Sequence, residues 1–229
     1  MPSTPSPLAG ATIVFDLDGT LIETAPDLVG TLNVLLAREG IAPLPLANAR
    51  TMIGQGARAL IARGFAAAGA PLGEPKLSAL FVDFIAHYLA HIADQSRPFP
   101  GLLGALDGLE AEGARLAVCT NKRTDLSVAL LDALGLSHRF AAIVGGDAVA
   151  AQKPAAAHLT ATIERAGGTV GRAVMVGDSA SDAGAARAAG VPLVLVSFGY
   201  TDVPARELGA DILIDHFDEL GPACRRLLG

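Results

Sequence analysis

The chain has 229 residues, of which 51% are hydrophobic, and a formal net charge of -6. This composition supplies a sizeable core, and the acidic balance argues against nucleic acid or an anionic membrane surface as a partner. The segment MPSTPSPLAG at residues 1–10 has neither a basic start nor a long apolar run, so we expect no signal peptide. The two distant cysteines, Cys119 and Cys224, fit a reduced, cytoplasmic protein.

Short apolar runs alternate with longer helical patterns along most of the chain. Runs rich in Val, Ile or Leu predict strands at 12–15, 115–119, 142–144, 173–176, 193–196 and 212–214. Helical patterns cover 102–112, 125–134, 155–166, 180–189 and 219–228. Such alternation of nearly unbroken apolar strands with helices predicts an α/β fold whose parallel sheet is covered on both faces.

The region between residues 26 and 97 breaks this alternation. It contains no convincing strand, and its helical patterns lie at 28–38, 57–68 and 77–92. We therefore predict that residues 25–96 form an inserted all-helical domain, while residues 1–24 and 97–229 form the core. The segment RPFPG at 97–101 is the expected return hinge.

Polar residues follow four of the predicted strands. They are Asp16 and Asp18, then Thr120 and Asn121, then Lys153, and finally Asp178 and Asp182. Ligands of a doubly wound sheet bind beyond the carboxyl ends of its strands, so we expect these groups to converge there. The neighbouring carboxylates would repel one another unless a cation lay between them, and an all-oxygen set favours Mg²⁺. The hydroxyl, amide and ammonium groups are suited to holding a phosphate.

Four motifs of the chain resemble, in order, those of the haloacid dehalogenase superfamily. They are DLDGT at 16–20, CTN at 119–121, QKP at 152–154 and VGDSASD at 176–182. The resemblance implies a Rossmann-like core and phosphoryl transfer through an aspartyl-phosphate. Asp16 would be the nucleophile and Asp18 the general acid and base. Dehalogenases of the superfamily lack an acid at the second position, so Asp18 favours phosphate ester hydrolysis over carbon–halogen cleavage.

The same resemblance implies a ligand set for Mg²⁺. Asp16, Asp178 and the backbone carbonyl of Asp18 would hold the metal, and Asp182 would orient the shell of ligands around it.

The inserted region resembles the helical cap of this superfamily. Within the family, TMIGQGARALI at 51–61 and YLAHIADQSRPFPG at 88–101 are most similar to phosphoglycolate phosphatases. That similarity implies a small phosphate ester as substrate, above all 2-phosphoglycolate. We expect Gly54, Gln55 and Gly56 to form a cap loop whose backbone N–H groups, together with Arg58, bind the substrate carboxylate.

Alternatives to this function remain open at the level of sequence. A related phosphatase could act on a sugar phosphate such as N-acetylmuramic acid 6-phosphate. Glu23 and Ala156 stand where many relatives have aspartate and proline, which loosens the choice of substrate. A catalytically silent binding protein and a mutase are further options, although no catalytic residue is missing. The sequence leaves open whether the protein is a monomer or a homodimer.

Overall fold

The computed structural model describes residues 6–229. The predicted absence of a signal peptide concerns residues 1–10, and the first five of these lie outside the described residues. In chain order the strands are β1 (Thr12–Phe15), β2 (Ile22–Glu23), β3 (Arg97–Pro98), β4 (Arg115–Thr120), β5 (Ala142–Gly145), β6 (Ala173–Gly177), β7 (Leu193–Val196) and β8 (Ile212–Ile214). Six of them form one sheet in the order β5-β4-β1-β6-β7-β8, with every neighbouring pair parallel. This confirms the predicted α/β fold.

Helices cover both faces of this sheet. The α-helices are α1 (Ala25–Arg38), α2 (Leu46–Ala49), α3 (Ala57–Ala67), α4 (Glu74–Ala90), α5 (Leu102–Ala111), α6 (Thr124–Ala133), α7 (Ala156–Arg165), α8 (Ala180–Ala189) and α9 (Leu220–Leu228). Alternate side chains of a strand point to opposite faces. Phe15 accordingly packs into the core that α5, α6 and α9 cover, whereas Val14 packs into the core beneath α7 and α8. Burial on both faces is the reason that the strands read as unbroken apolar runs.

Three helices of the region between β2 and β3 pack against one another: α1, α3 and α4. Gly64 of α3 allows the close approach, because a Cβ at this position would lie 2.5 Å from a methyl carbon of Leu32 on α1. The chain leaves and re-enters the core through the antiparallel pair β2–β3, in which Glu23 lies opposite Arg97. The sequence did not predict this pair or α2, because two-residue strands and a single helical turn are too short to show a periodic pattern.

The parallel arrangement brings the carboxyl ends of β1, β4, β5 and β6 to one edge of the sheet. Residues of α3 and α4 face the same edge and close a cavity there together with residues that follow β1 and β4. None of the helices within residues 6–229 combines the length and the apolar character that crossing a bilayer requires.

Candidate active site

Asp16 lies directly after β1, at the centre of the sheet edge. Its Oδ1 is 3.0 Å from Nζ of Lys153 and accepts a hydrogen bond from the backbone N–H of Leu17 at 2.7 Å. Burial raises the pKa of the Asp16 carboxyl to about 6, although the Lys153 ammonium partly offsets this rise. The site therefore contains a buried carboxylate whose charge needs neighbouring cations.

Asp178 follows β6, the strand beside β1, and completes a cluster of acids. Asp16, Asp178 and Asp182 each place one carboxylate oxygen within 4.8 Å of the others. Asp178 accepts hydrogen bonds from Thr20 Oγ1 at 2.9 Å and from the backbone N–H of Tyr200 at 2.7 Å. Burial, with the charges of Asp182 and Asp16, raises the pKa of Asp178 well above its ordinary value. An all-oxygen cluster of repelling carboxylates fits a hard divalent cation such as Mg²⁺.

Asp182 has a different set of partners from the other two acids. Its Oδ2 accepts hydrogen bonds from Ser179 Oγ at 2.7 Å and from the backbone N–H groups of Ser179 and Asp178 at 3.0 and 3.2 Å. The bond from the Ser179 N–H is part of a capping box at the start of α8. Its Oδ1 lies 2.6 Å from Nζ of Lys153. Both carboxylate oxygens of Asp182 thus accept hydrogen bonds from the protein. With this geometry Asp182 can orient the Lys153 side chain and the loop that contains Asp178.

Asp18 is held by a lysine that the sequence reasoning did not assign. Nζ of Lys122 lies 3.0 Å from Oδ1 and 3.2 Å from Oδ2 of Asp18, and Thr24 Oγ1 donates to Oδ1 at 2.8 Å. The same ammonium donates to the hydroxyl of Tyr88 at 2.9 Å and lies 4.5 Å from the centroid of its ring. Lys122 directly follows Asn121 at the end of β4, so its place in the chain was a signal for a site residue.

The three residues predicted to hold a phosphate, Thr120, Asn121 and Lys153, lie at this edge of the sheet. Thr120 is buried and lines the cavity. Nδ2 of Asn121 donates to the backbone carbonyls of Gly54 at 3.2 Å and Lys153 at 3.1 Å, so this amide ties the cap loop to the Lys153 loop. The imidazole of His158 fixes the Lys153 backbone, since its Nδ1 accepts from the Lys153 N–H at 3.2 Å.

The predicted cap residues divide into two groups. Gly54 and Gly56, with φ of +106° and +84°, line the cavity above Asp16. Gln55 turns outward and accepts a hydrogen bond from Arg63 at 2.7 Å. The guanidinium of Arg58 also lies outside this cavity, where it pairs with Glu74 and donates to Ser78. The structure thus brings the two glycines, but neither Gln55 nor Arg58, to the cavity that Asp16 and Asp18 line.

The cavity between the helices of residues 25–96 and the edge of the sheet is small and has contrasting walls. Its volume is about 60 Å³. The core side contributes Asp16, Asp18, Thr120, Asn121 and Lys122. The opposite side is mainly apolar and includes Leu28, Ile53, Leu60, Phe81 and Phe84. A partly enclosed cavity of this kind limits the access of water and strengthens the interactions between charges inside it.

Comparisons with known proteins agree with this geometry. The family model of haloacid dehalogenase-like hydrolases matches residues 11–190. The chain is 57% identical to a phosphoglycolate phosphatase of Caulobacter vibrioides over 99% of this chain and 95% of that protein. A phosphoglycolate phosphatase of Agrobacterium fabrum is 50% identical over 95% and 92% of the respective chains.

Solved structures show the same architecture. A predicted phosphoglycolate phosphatase from Haemophilus somnus superimposes with a TM-score of 0.86 at 29% identity, covering 93% of this chain and 97% of that one. CbbY from Rhodobacter sphaeroides in complex with phosphate superimposes with a TM-score of 0.78 at 28% identity, covering 95% and 99%. The arrangement of strands and helices described above is therefore shared with experimentally determined structures.

Proposed function

This chain belongs to the family of haloacid dehalogenase-like hydrolases, and from that premise we propose that it hydrolyses 2-phosphoglycolate to glycolate and phosphate. The observation that carries the proposal is the buried Asp16 carboxylate, which shares one cavity with Asp18 and contacts Lys153. The relatives named phosphoglycolate phosphatase, which match nearly the whole chain, support the choice of substrate.

The reaction would proceed in two steps on Asp16. In the first, an Asp16 oxygen forms a bond to phosphorus while the ester P–O bond breaks, and Asp18 gives a proton to the departing oxygen. In the second, a water molecule attacks the phosphorus of the aspartyl-phosphate, Asp18 takes a proton from that water, and the Asp16 carboxylate leaves. The covalent intermediate divides one difficult displacement into two easier ones.

Other residues of the core would hold the transferred group. The Lys153 ammonium, 3.0 Å from Asp16, is placed to contact phosphoryl oxygens as charge develops on them. Thr120 supplies a hydroxyl on the same side of the cavity. We propose Mg²⁺ as the metal, held by Asp16, Asp178 and the backbone carbonyl of Asp18, where it would neutralise charge on the phosphoryl group.

The cavity supports a small substrate over a large one. The cavity is small, about 60 Å³, so an amino-sugar phosphate would require a larger displacement of α3 and α4 from the core than a two-carbon phosphate ester. We therefore propose that residues 25–96 act as a cap, with residues 1–24 and 97–229 as the catalytic core. The free, buried Cys119 and Cys224 support a cytoplasmic location.

A panel of phosphate esters tests this proposal. The wild type should release phosphate from 2-phosphoglycolate with a higher kcat/KM than from N-acetylmuramic acid 6-phosphate, p-nitrophenyl phosphate or hexose phosphates. Activity should require Mg²⁺ and fall with Ca²⁺, which takes more ligands at longer distances. A preference for another ester would overturn the substrate, full activity in excess chelator would overturn the metal, and no phosphate release from any ester would favour the silent binding protein.

A further inference from the structure

We infer that Lys122 binds the carboxylate of the substrate and thereby sets the preference for an ester that carries a second anionic group. The inference rests on the proposed hydrolysis of 2-phosphoglycolate. It assigns the residue that recognises the carboxylate, which is the end of this substrate that does not react. It moves this role from Arg58, where the sequence placed it, to a residue of the core.

The position of Lys122 is the first argument. Its side chain is buried, lines the cavity beside Asp16 and Asp18, and is held from two sides by Asp18 and Tyr88. Tyr88 belongs to α4 of the inserted region and Lys122 to the core, so the ammonium lies where the two parts meet over the reacting atoms. A cation held in this way is pre-organised for an anion that enters the cavity.

The covalent structure of the substrate is the second argument. In 2-phosphoglycolate a single methylene separates the ester oxygen from the carboxyl carbon. Asp18 has to contact the ester oxygen to give it a proton, and Lys122 contacts both oxygens of Asp18. The carboxylate of a substrate bound for hydrolysis therefore lies within reach of the Lys122 ammonium, which can exchange one Asp18 oxygen for a substrate oxygen.

The other cations near the cavity have partners that keep them away from this position. Lys153 lies between Asp16 and Asp182 at the phosphoryl end. Arg123 lines the cavity, but its guanidinium makes two hydrogen bonds to Asp125 and its side chain is 44% exposed. The side chains of Leu28, Leu60, Phe81 and Phe84 on the opposite wall offer the carboxylate no hydrogen bond, and burying an unpaired charge against them would be costly.

The inference is tested by measuring, in variants of Lys122, the ratio of kcat/KM values for two substrates. Ethyl phosphate matches 2-phosphoglycolate in length but has no carboxylate. The selectivity, defined as kcat/KM for 2-phosphoglycolate divided by kcat/KM for ethyl phosphate, should fall about 10- to 100-fold in Lys122→Met. Loss of the Asp18 contact affects both substrates and cancels in the ratio. Lys122→Arg, which retains the charge, should keep most of the selectivity.

Two further variants make the result decisive. Lys122→Gln also removes the charge but keeps a hydrogen-bond donor for Asp18, so it provides the answer if Lys122→Met does not fold. Lys76→Met is the matched control, because Lys76 pairs with Glu39 on the exposed surface. The selectivity of this variant should match that of the wild type.

The outcomes distinguish a failure of the role of Lys122 from a failure of the proposed hydrolysis of 2-phosphoglycolate. Selectivity that stays within about threefold of wild type in the folded neutral variants overturns the role of Lys122 and leaves the proposed function intact. A wild type that does not prefer 2-phosphoglycolate to ethyl phosphate overturns both.

Discussion

The ammonium of Lys153 lies 3.0 Å from the carboxylate of Asp16, with the two side chains only 1% and 7% exposed. Removing one partner of a buried ion pair leaves an uncompensated charge and costs about 3–5 kcal/mol. Lys153→Met should therefore lower the free energy of unfolding by about this amount, measured by urea denaturation, and abolish phosphatase activity. Lys76→Met breaks an exposed pair and should cost less than about 1 kcal/mol. Equal losses in the two variants would contradict the structural role of Lys153.

Substitutions of Asp178 and Asp182 should differ in their effect on stabilisation of the fold by Mg²⁺. Addition of Mg²⁺ should raise the thermal unfolding midpoint of the wild type, because a ligand that binds only the folded state stabilises it. Asp178→Asn should lose this rise. Asp182→Asn should retain part of it but unfold at a lower temperature without metal, because the amide has only one acceptor oxygen and cannot serve both the capping box and Lys153. A full Mg²⁺ response in Asp178→Asn would contradict the proposed ligand set.

The sequence predicted the sheet well because its signals are local. Strands buried on both faces are continuous apolar runs, and those at 12–15, 193–196 and 212–214 match the observed bounds. The cap contacts could not be predicted in the same way. Arg58 begins a helix near the predicted loop, but Glu74 and Ser78, both on another helix, hold its guanidinium.

The contacts of Lys122 could not be predicted from the sequence either. Its place directly after the CTN motif indicates a residue near the site but does not show what it contacts. Its partners Asp18 and Tyr88 lie 104 and 34 residues away along the chain. Roles that depend on such distant contacts become visible only in the folded structure.

The buried His158 gives the fold a specific dependence on pH. Its Nε2–H donates to the carbonyl of Val144 and its Nδ1 accepts from the N–H of Lys153, which requires a neutral ring. Burial lowers the pKa of His158 from 6.5 to about 4. As pH falls between these values the unfolded chain binds a proton that the folded chain does not, so about 3 kcal/mol of stability is lost.

His158→Gln isolates this contribution. The glutamine can make similar hydrogen bonds but does not titrate. Urea unfolding of both proteins from about pH 7 to about pH 4 should show that the advantage of the wild type shrinks by about 3 kcal/mol on acidification. A difference that stays constant over this range would show that His158 does not cause the dependence.

The contribution of Asp18 to the rate of the first step should increase with the basicity of the leaving group. General acid catalysis typically contributes about 10²–10⁴-fold. Asp18→Asn should therefore slow the first step for 2-phosphoglycolate by about this factor, and much less for p-nitrophenyl phosphate, whose leaving group departs without a proton. Rapid-quench measurement of product from each ester distinguishes the steps. An equal loss of rate in the first step for both esters would argue against an acid role for Asp18.

Trapping the covalent intermediate shows whether Asp16 is the nucleophile. Wild-type protein is mixed with 2-phosphoglycolate and Mg²⁺, quenched in acid during turnover, digested and analysed by mass spectrometry. We expect one phosphoryl group on the peptide that contains Asp16, and in Asp16→Asn neither this group nor phosphate release, with the thermal unfolding transition retained. Wild-type rates in Asp16→Asn, or a phosphoryl group on another residue during turnover, would show that Asp16 is not the nucleophile.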